Sequence, residues 1–195
     1  MQPPGRNTLM RSPLAGAQRM PRLMLALLLL LLSIAATGTA DEAQHTEYRI
    51  KTAFLYNFSR FVVWPEEKLQ GRSEFSLCTL GNTLFGEQLD TLTGKTVHSK
   101  TLVVKHFDKP EDTLDCQLVF IGQSDELGET LWILKQLPVL TVSDAAAFTE
   151  KGGMIQLTVV DNKIRFRINI DAARTAGLTI SSKLLSLAIS VTGAR

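Results

Sequence analysis

Residues 116–142 read CQLVFIGQSDELGETLWILKQLPVLTV. An apolar run from Cys116 to Ile121 gives way at Gly122, Leu127, Leu131 and Leu134 then recur at helical spacing, and Pro138 closes that stretch before a second apolar run, Val139 to Val142. Short unbroken apolar runs read as strands buried on both faces, and a spacing of three and four reads as a helix with one apolar stripe. Ser124 is placed to cap the helix, and Asp125 and Glu126 fall in its first turn, where the helix dipole favours acids. Strand, helix and strand in that order make a parallel pair, and the segment decides for an α/β fold.

The chain upstream repeats the pattern. Glu74 to Leu80 and Leu102 to Phe107 read as strands, with a short helix expected from Leu84 to Leu92 between Gly81-Asn82 and Gly94. Ahead of them, Ile50, Phe54, Phe58, Phe61 and Val62 recur at helical spacing with Leu55 beside them, which predicts a helix from Glu47 to Val63. Trp64-Pro65 ends it, because the residue before a proline is driven out of the helical region. In such sheets the first and third strands are commonly neighbours, which would bring Cys78 near Cys116.

Downstream of Gly152-Gly153 the period changes to two. Ile155, Leu157 and Val159 alternate with Gln156 and Thr158, and Ile164, Phe166, Ile168 and Ile170 alternate with Arg165, Arg167 and Asn169, with Asp161-Asn162 between the runs. Two such runs around a two-residue turn make a hairpin. Asp171 is then expected to cap a short helix stopped at Gly177, and Ser181-Ser182 to open a last one carrying Leu184, Leu185 and Ala188. No repeat, linker or low-complexity stretch intervenes. The expectation is a single-domain α/β sandwich spanning 41–195, with a mostly parallel sheet flanked by helices and a C-terminal β-hairpin.

Residues 1–40 belong to something else. Arg6, Arg11, Arg19 and Arg22 come before any acid, Leu23 to Leu32 is almost pure leucine, and Ser33 to Ala40 is built of small residues. Charged, apolar and small, in that order, is the pattern of a secretory signal peptide. The apolar stretch from Leu23 to Ala36 is 14 residues, short of the roughly 20 that a spanning helix needs. No cysteine precedes Cys78, so no thiol stands at the expected cleavage point after Ala40 to carry a lipid. The mature protein is expected to be exported and free, not tethered.

Composition fits this division. With 45% hydrophobic and 21% charged residues in 195, the chain is an ordinary globular sequence. Its formal charge of +2 misleads: four arginines leave with the leader, so 21 basic groups become 17 against 19 acidic ones, about −2. A nucleic-acid binder needs a surplus of cations to displace counterions, and this chain has a deficit. Cys78 and Cys116 are the only thiols, and an even count in an exported chain points to one disulfide, the alternative being two buried free thiols acting as small apolar residues.

Chemistry leaves little trace. His45, His98 and His106 are scattered, without metal-ligand spacing. Gly81 to Gly86 imitates the start of a phosphate-binding loop, but Glu87 and Gln88 stand where lysine and a hydroxyl are needed. Gly122-Gln123-Ser124 begins like a nucleophile elbow and has Glu126 where the second glycine belongs. Asp161 and Asp171 lie at opposite ends of a strand, too far apart for paired carboxylates. Nothing assembles a nucleophile, a base and an orienting group, so no enzyme activity, cofactor or metal is expected. What remains is a polar strip in which Arg165, Arg167 and Asn169 point the same way, readable as a solvated strand face or as a docking surface for an acidic partner.

Two runs carry a resemblance. Lys51-Thr52-Ala53-Phe54-Leu55-Tyr56-Asn57-Phe58 followed by Phe61 and Trp64-Pro65, and Arg165 to Asp171 continuing through Ala172-Ala173-Arg174 to Gly177 and Ser181-Ser182-Lys183-Leu184-Leu185, resemble the YfiR family of bacterial periplasmic proteins, from about Glu47 to Ile189. The resemblance implies a periplasmic regulator that binds the periplasmic sensor domain of an inner-membrane, YfiN-like diguanylate cyclase and holds it inactive, lowering cyclic di-GMP and biofilm formation. A YfiB-like outer-membrane lipoprotein would capture the regulator and lift the inhibition. Many such proteins carry a second cysteine pair in the segment matching Ala145 to Ile155, and this chain has none there. The expected partner-binding residues are Arg165, Arg167, Asn169 and Arg174. Self-association into a homodimer is open to such a domain. The competing reading is a periplasmic small-molecule binding protein with its ligand at the carboxyl ends of the parallel strands, near Gly81-Asn82 and Gly122-Gln123. A hydrolase with an unrecognised site is a third.

Overall fold

No proline interrupts the chain between Pro21 and Pro65, and the first helix, α1, runs through that interval from Arg22 to Phe61, well ahead of the start expected near Glu47. The computed structural model describes residues 22–123 and 126–193, with side chains from residue 42 onward. The chain divides between Asp41 and Glu42. Of the expected signal peptide, residues 1–21 lie outside the described residues, and the remainder is described as helical backbone alone. Everything below concerns residues 42–193.

After α1 come β1 (Val62–Val63), a single helical turn α2 (Glu66–Leu69), β2 (Glu74–Leu80), β3 (Thr96–Val97), β4 (Lys100–Phe107), β5 (Leu118–Ile121), α3 (Leu127–Leu134) and β6 (Leu140–Ser143). The hairpin β7 (Ile155–Val160) and β8 (Lys163–Asn169) follows, and α4 (Ile170–Thr175), β9 (Thr179–Ile180), α5 (Ser182–Leu185) and β10 (Ser190–Thr192) complete the described chain. Eight strands form one sheet in the order β10-β8-β7-β6-β5-β2-β4-β3, and β1 pairs separately with β9. From β7 through β6, β5 and β2 to β4 every pairing is parallel, while β8 and β3 run antiparallel to their neighbours β7 and β4. The expected α/β domain with a mostly parallel sheet is the observed one.

The core divides by strand parity. Phe75, Leu77, Leu118, Phe120, Leu140, Val142, Ile155, Leu157, Phe166 and Ile168 turn to one face, where Leu55 and Phe58 of α1 cover them. Cys78, Leu80, Val119 and Ile121 turn to the other, where Leu127, Leu131 and Leu134 of α3 cover them. Because β2 and β5 are apolar on both faces they occupy the interior of the sheet. Phe166 takes Phe54 and Phe58 edge-on at 5.7 and 5.2 Å, fixing α1 over the hairpin. At the end of α1, Trp64 is buried, donates from Nε1 to the Gln117 carbonyl at 3.0 Å and meets Phe75 edge-on at 5.1 Å.

Cys78 on β2 is bonded to Cys116, just ahead of β5, with the Cα atoms 6.2 Å apart. The neighbouring of first and third strands delivers this pairing, since Cys78 stands beside Val119 in the β2–β5 ladder. Both residues lie under α3 in the second cluster.

Several boundaries differ from expectation. Leu84 to Leu92 forms two short 3-10 turns, Gly86–Gln88 and Asp90–Leu92, because Gly86 adopts φ +52° and breaks the helical path. The short helix α4 is capped by Asn169, whose Oδ1 accepts from Ala172 N at 3.1 Å; Asp171 sits within the first turn. Ser124 and Asp125 lie outside the described residues, and Glu126 occupies the N-cap position of α3. The turn between β7 and β8 is as expected: Asp161 and Asn162 both take positive φ, 48° and 57°, as a type I′ turn requires.

The disulfide supplies the first prediction. Replacing both cysteines with alanine frees a 38-residue separation and should lower stability by about 3 to 4 kcal/mol. Calorimetry should then show Tm lower by roughly 10 °C; an unchanged Tm would mean that the bridge stabilises nothing.

Candidate functional site

Just after β6, Asp144 meets the carboxyl-terminal half of α1 at Tyr48 and Lys51. Lys51, 3% exposed, places Nζ 2.5 Å from Asp144 Oδ2 and 2.6 Å from Glu47 Oε1, one helical turn back. Tyr48 donates its hydroxyl to the same Asp144 oxygen at 2.9 Å and presents its ring to the ammonium, 4.1 Å from the centroid. Burial would push Lys51 down, yet the hydrogen bonds it donates to Asp144 and Glu47 outweigh it and hold the ammonium above its usual range. Burial, reinforced by the Asp144 carboxylate, pushes the Tyr48 phenol up to about 12. A buried cation needs this degree of pairing to be tolerable, and the cluster locks α1 to the sheet. Lys51 and Tyr48 are buried while Glu47 and Asp144 are half-buried, and the cluster acts as a fastening.

The same edge of the sheet closes where the small-molecule reading put a ligand. A Cβ built on Gly122 would lie 2.4 Å from the Asn82 carbonyl oxygen, so the loops after β2 and β5 touch there and only glycine fits. Ser143 ties the ends of β5 and β6 together, donating to the Ile121 carbonyl at 2.7 Å and accepting from Ala145 N at 3.0 Å. Concave space lies elsewhere: a cleft of about 610 Å³ between α3, the Lys151-Gly152 turn and α4, lined by Trp132, Lys135, Lys151, Asn169 and Asp171 among others. Trp132 is 78% exposed on its rim. Among the described residues no group of histidine, cysteine and acidic side chains could hold a metal ion.

The open surface is the part of the hairpin's second face nearest the turn; towards β6, Gln156 is buried beside Thr149. The cluster beneath α3 takes no residue from β7 or β8. In register across those strands stand Gln156 and Arg167, Thr158 and Arg165, Val160 and Lys163. Elsewhere most cations are engaged: Lys51, Arg72, Lys105 and Arg174 in ion pairs, Lys68 and Lys100 on backbone carbonyls, and Arg60, Lys95 and Lys183 over aromatic rings, while Arg49 and Lys109 stand singly without such a contact. Among the described residues the side chains of Lys163, Arg165 and Arg167 on the hairpin, and of Lys135 and Lys151 at the cleft, take part in no hydrogen bond, ion pair or ring contact. Unspent cations on a bare strand face favour an anionic partner.

The residues singled out in the sequence thus divide. Arg165 is exposed and Arg167 half-buried on the bare face. Asn169 closes that strip, but its polar atoms are committed inward, Oδ1 to the α4 cap and Nδ2 to the Thr149 carbonyl at 3.0 Å. Arg174 stands off the strand on α4, donating to the Gly193 carbonyl at 3.3 Å and lying 3.8 Å from Asp171. Sequence reasoning missed Lys163, although its parity with Arg165 and Arg167 was available. It also missed Lys135 and Lys151, which the fold alone brings to the cleft.

The lock makes a pH prediction. The folded pKa of Tyr48 is above the ordinary 10.0, so its contribution to stability is complete below that pH and is lost as pH rises towards about 12. An ultraviolet phenolate titration of the folded protein should show one tyrosine ionising near pH 12 and that phase should vanish in Tyr48→Phe. Lys51→Met should cost about 3 to 5 kcal/mol in chemical denaturation, because it leaves Asp144 without its ammonium; a loss within error of zero would contradict the lock.

Residues 48–189 match the model of the YfiR/HmsC-like family. Among solved structures, the chain is similar to a conserved domain protein from Vibrio cholerae, at 15% identity and a TM-score of 0.44, over 65% of this chain and 57% of that one. It is also similar to an ABC domain in complex with L-Trp from Streptococcus pneumonia, at 10% identity and a TM-score of 0.39, over 60% of this chain and 56% of that one. The chain thus spans a little over half the length of either structure. The family match takes in α1 from Tyr48, every strand of the sheet but β10, and Tyr48, Lys51 and Asp144 of the lock, and this chain belongs to the YfiR/HmsC-like family.

Proposed function

We propose that the chain is a periplasmic regulatory binding protein that represses an inner-membrane, YfiN-like diguanylate cyclase by holding the cyclase's periplasmic sensor domain in an inactive arrangement. The observation that carries the reading is the match to a family of regulators rather than catalysts over residues 48–189. It is supported by the bare face of β7 and β8, whose arginines are unspent among the described residues. A YfiB-like outer-membrane lipoprotein would compete for the regulator and relieve repression. The contact is placed on the face bearing Arg165 and Arg167, with Asn169 and Arg174 shaping its far end.

Repression by binding needs no chemistry on the regulator. A protein that prefers one arrangement of its partner shifts the partner's equilibrium by the difference in affinity, about 1.4 kcal/mol for each tenfold. Steering by exposed arginines adds association rate more than affinity, so the contact should weaken as salt rises.

Deleting the gene should raise cellular cyclic di-GMP, and a chain carrying Arg165→Glu and Arg167→Glu should fail to restore it while keeping its Tm within about 2 °C, as surface substitutions do. Full restoration by the folded double variant would remove the contact from this face. Unchanged cyclic di-GMP on deletion would remove the function.

A further inference from the structure

We propose that Lys163, Arg165 and Arg167 read an extended acidic segment of the partner, with carboxylates on alternate residues. The inference rests on the reading of this face as a partner-binding surface and adds the chemistry and conformation of what is bound. These cations occupy successive same-face positions of β8, in a line with a repeat of roughly 6.6 to 6.8 Å. An extended segment presents alternate side chains at that same repeat along a straight edge. A helix does not: residues four apart advance about 6 Å but turn roughly 40° further at each step, so a third acid leaves the line.

The neighbouring strand supports the same geometry. Opposite Arg165 in the ladder stands Thr158, half-buried, its hydroxyl engaged with no other group among the described residues and so available to a carboxylate. Opposite Lys163 stands Val160, 37% exposed, which leaves room beside the lysine without adding charge. Asp161 in the adjoining turn repels an acid placed beyond Lys163, which fixes where the segment begins. At the other end the strip opens into the cleft, where the second pair of unspent lysines, Lys135 and Lys151, extends the attraction past Asn169. Asp171 also lines that cleft, but it lies 3.8 Å from Arg174. A bilayer of anionic lipid would demand a broad basic surface, and the acids at Asp161 and Asp171 interrupt one.

The test uses the purified chain and two fluorescently labelled synthetic peptides of equal composition, one alternating serine with glutamate and one with its glutamates contiguous. At low salt, anisotropy should show the alternating peptide binding at least about fivefold more tightly, the worth of one or two aligned surface pairs, and Arg165→Ala should erase the difference. Equal affinities, or no binding of either peptide, would overturn the inference even if the double charge reversal still abolishes repression in cells. Co-sedimentation with phosphatidylglycerol vesicles that the alternating peptide cannot displace would overturn it in favour of a lipid surface. Alternating-peptide preference together with unimpaired repression by the charge-reversed chain would uphold the inference and sink the assignment of this face to the cyclase.

Discussion

The distribution of apolar side chains between the faces of the strands constrains everything else in the molecule. β2 and β5 are apolar on both faces and must be covered twice, by α1 on one side and α3 on the other. β7 and β8 are apolar on one face only, so α1 alone covers them. Burying apolar area at roughly 25 cal/mol per Å² drives the coverage of the first set, and nothing drives a helix onto the polar face of the second. The uncovered part of the hairpin follows from composition, and it is where Arg165 and Arg167 stand unengaged side by side.

The lock at Asp144 has the complementary role of setting where α1 lies. A long helix resting on an apolar sheet by dispersion alone can slide or tilt, whereas Lys51, itself paired with Glu47, and Tyr48 converge on the Asp144 carboxylate at the sheet's carboxyl edge. At the other end Trp64 hydrogen-bonds the Gln117 carbonyl ahead of β5. Fastened on either side of the Phe54–Phe58 turn, this stretch of the helix holds Phe54 and Phe58 over Phe166 and so steadies the hairpin from behind. The family motifs acquire a physical meaning here: Lys51, Phe54, Phe58, Trp64 and Asn169 are fold-holding residues, and only Arg165 and Arg167 among the singled-out polar groups are left over.

Much of this was legible in the sequence, for identifiable reasons. Period-two alternation from Ile155 to Ile170 revealed the hairpin and its polar face, because parity is local information. The strand–helix–strand run around Leu127 to Leu134 revealed the parallel sheet, and the sheet revealed the cysteine pair. Asp171 looked like a cap because acids favour that position, but Asn169 already held the α4 amides and left Asp171 in the first turn. The lock was invisible, since Lys51 and Asp144 are 93 positions apart and neither residue type predicts burial. The cleft was equally invisible, being assembled from α3, the turn after Phe148 and α4.

The proposed role for this member of the YfiR/HmsC-like family, gripping a partner, is read out as a rate on another molecule. Membrane vesicles bearing the cyclase, with its sensor domain exposed to added protein, should show cyclic di-GMP synthesis falling saturably as the purified regulator is titrated in, with the regulator recovered unchanged. A synthesis rate indifferent to saturating regulator would contradict the account.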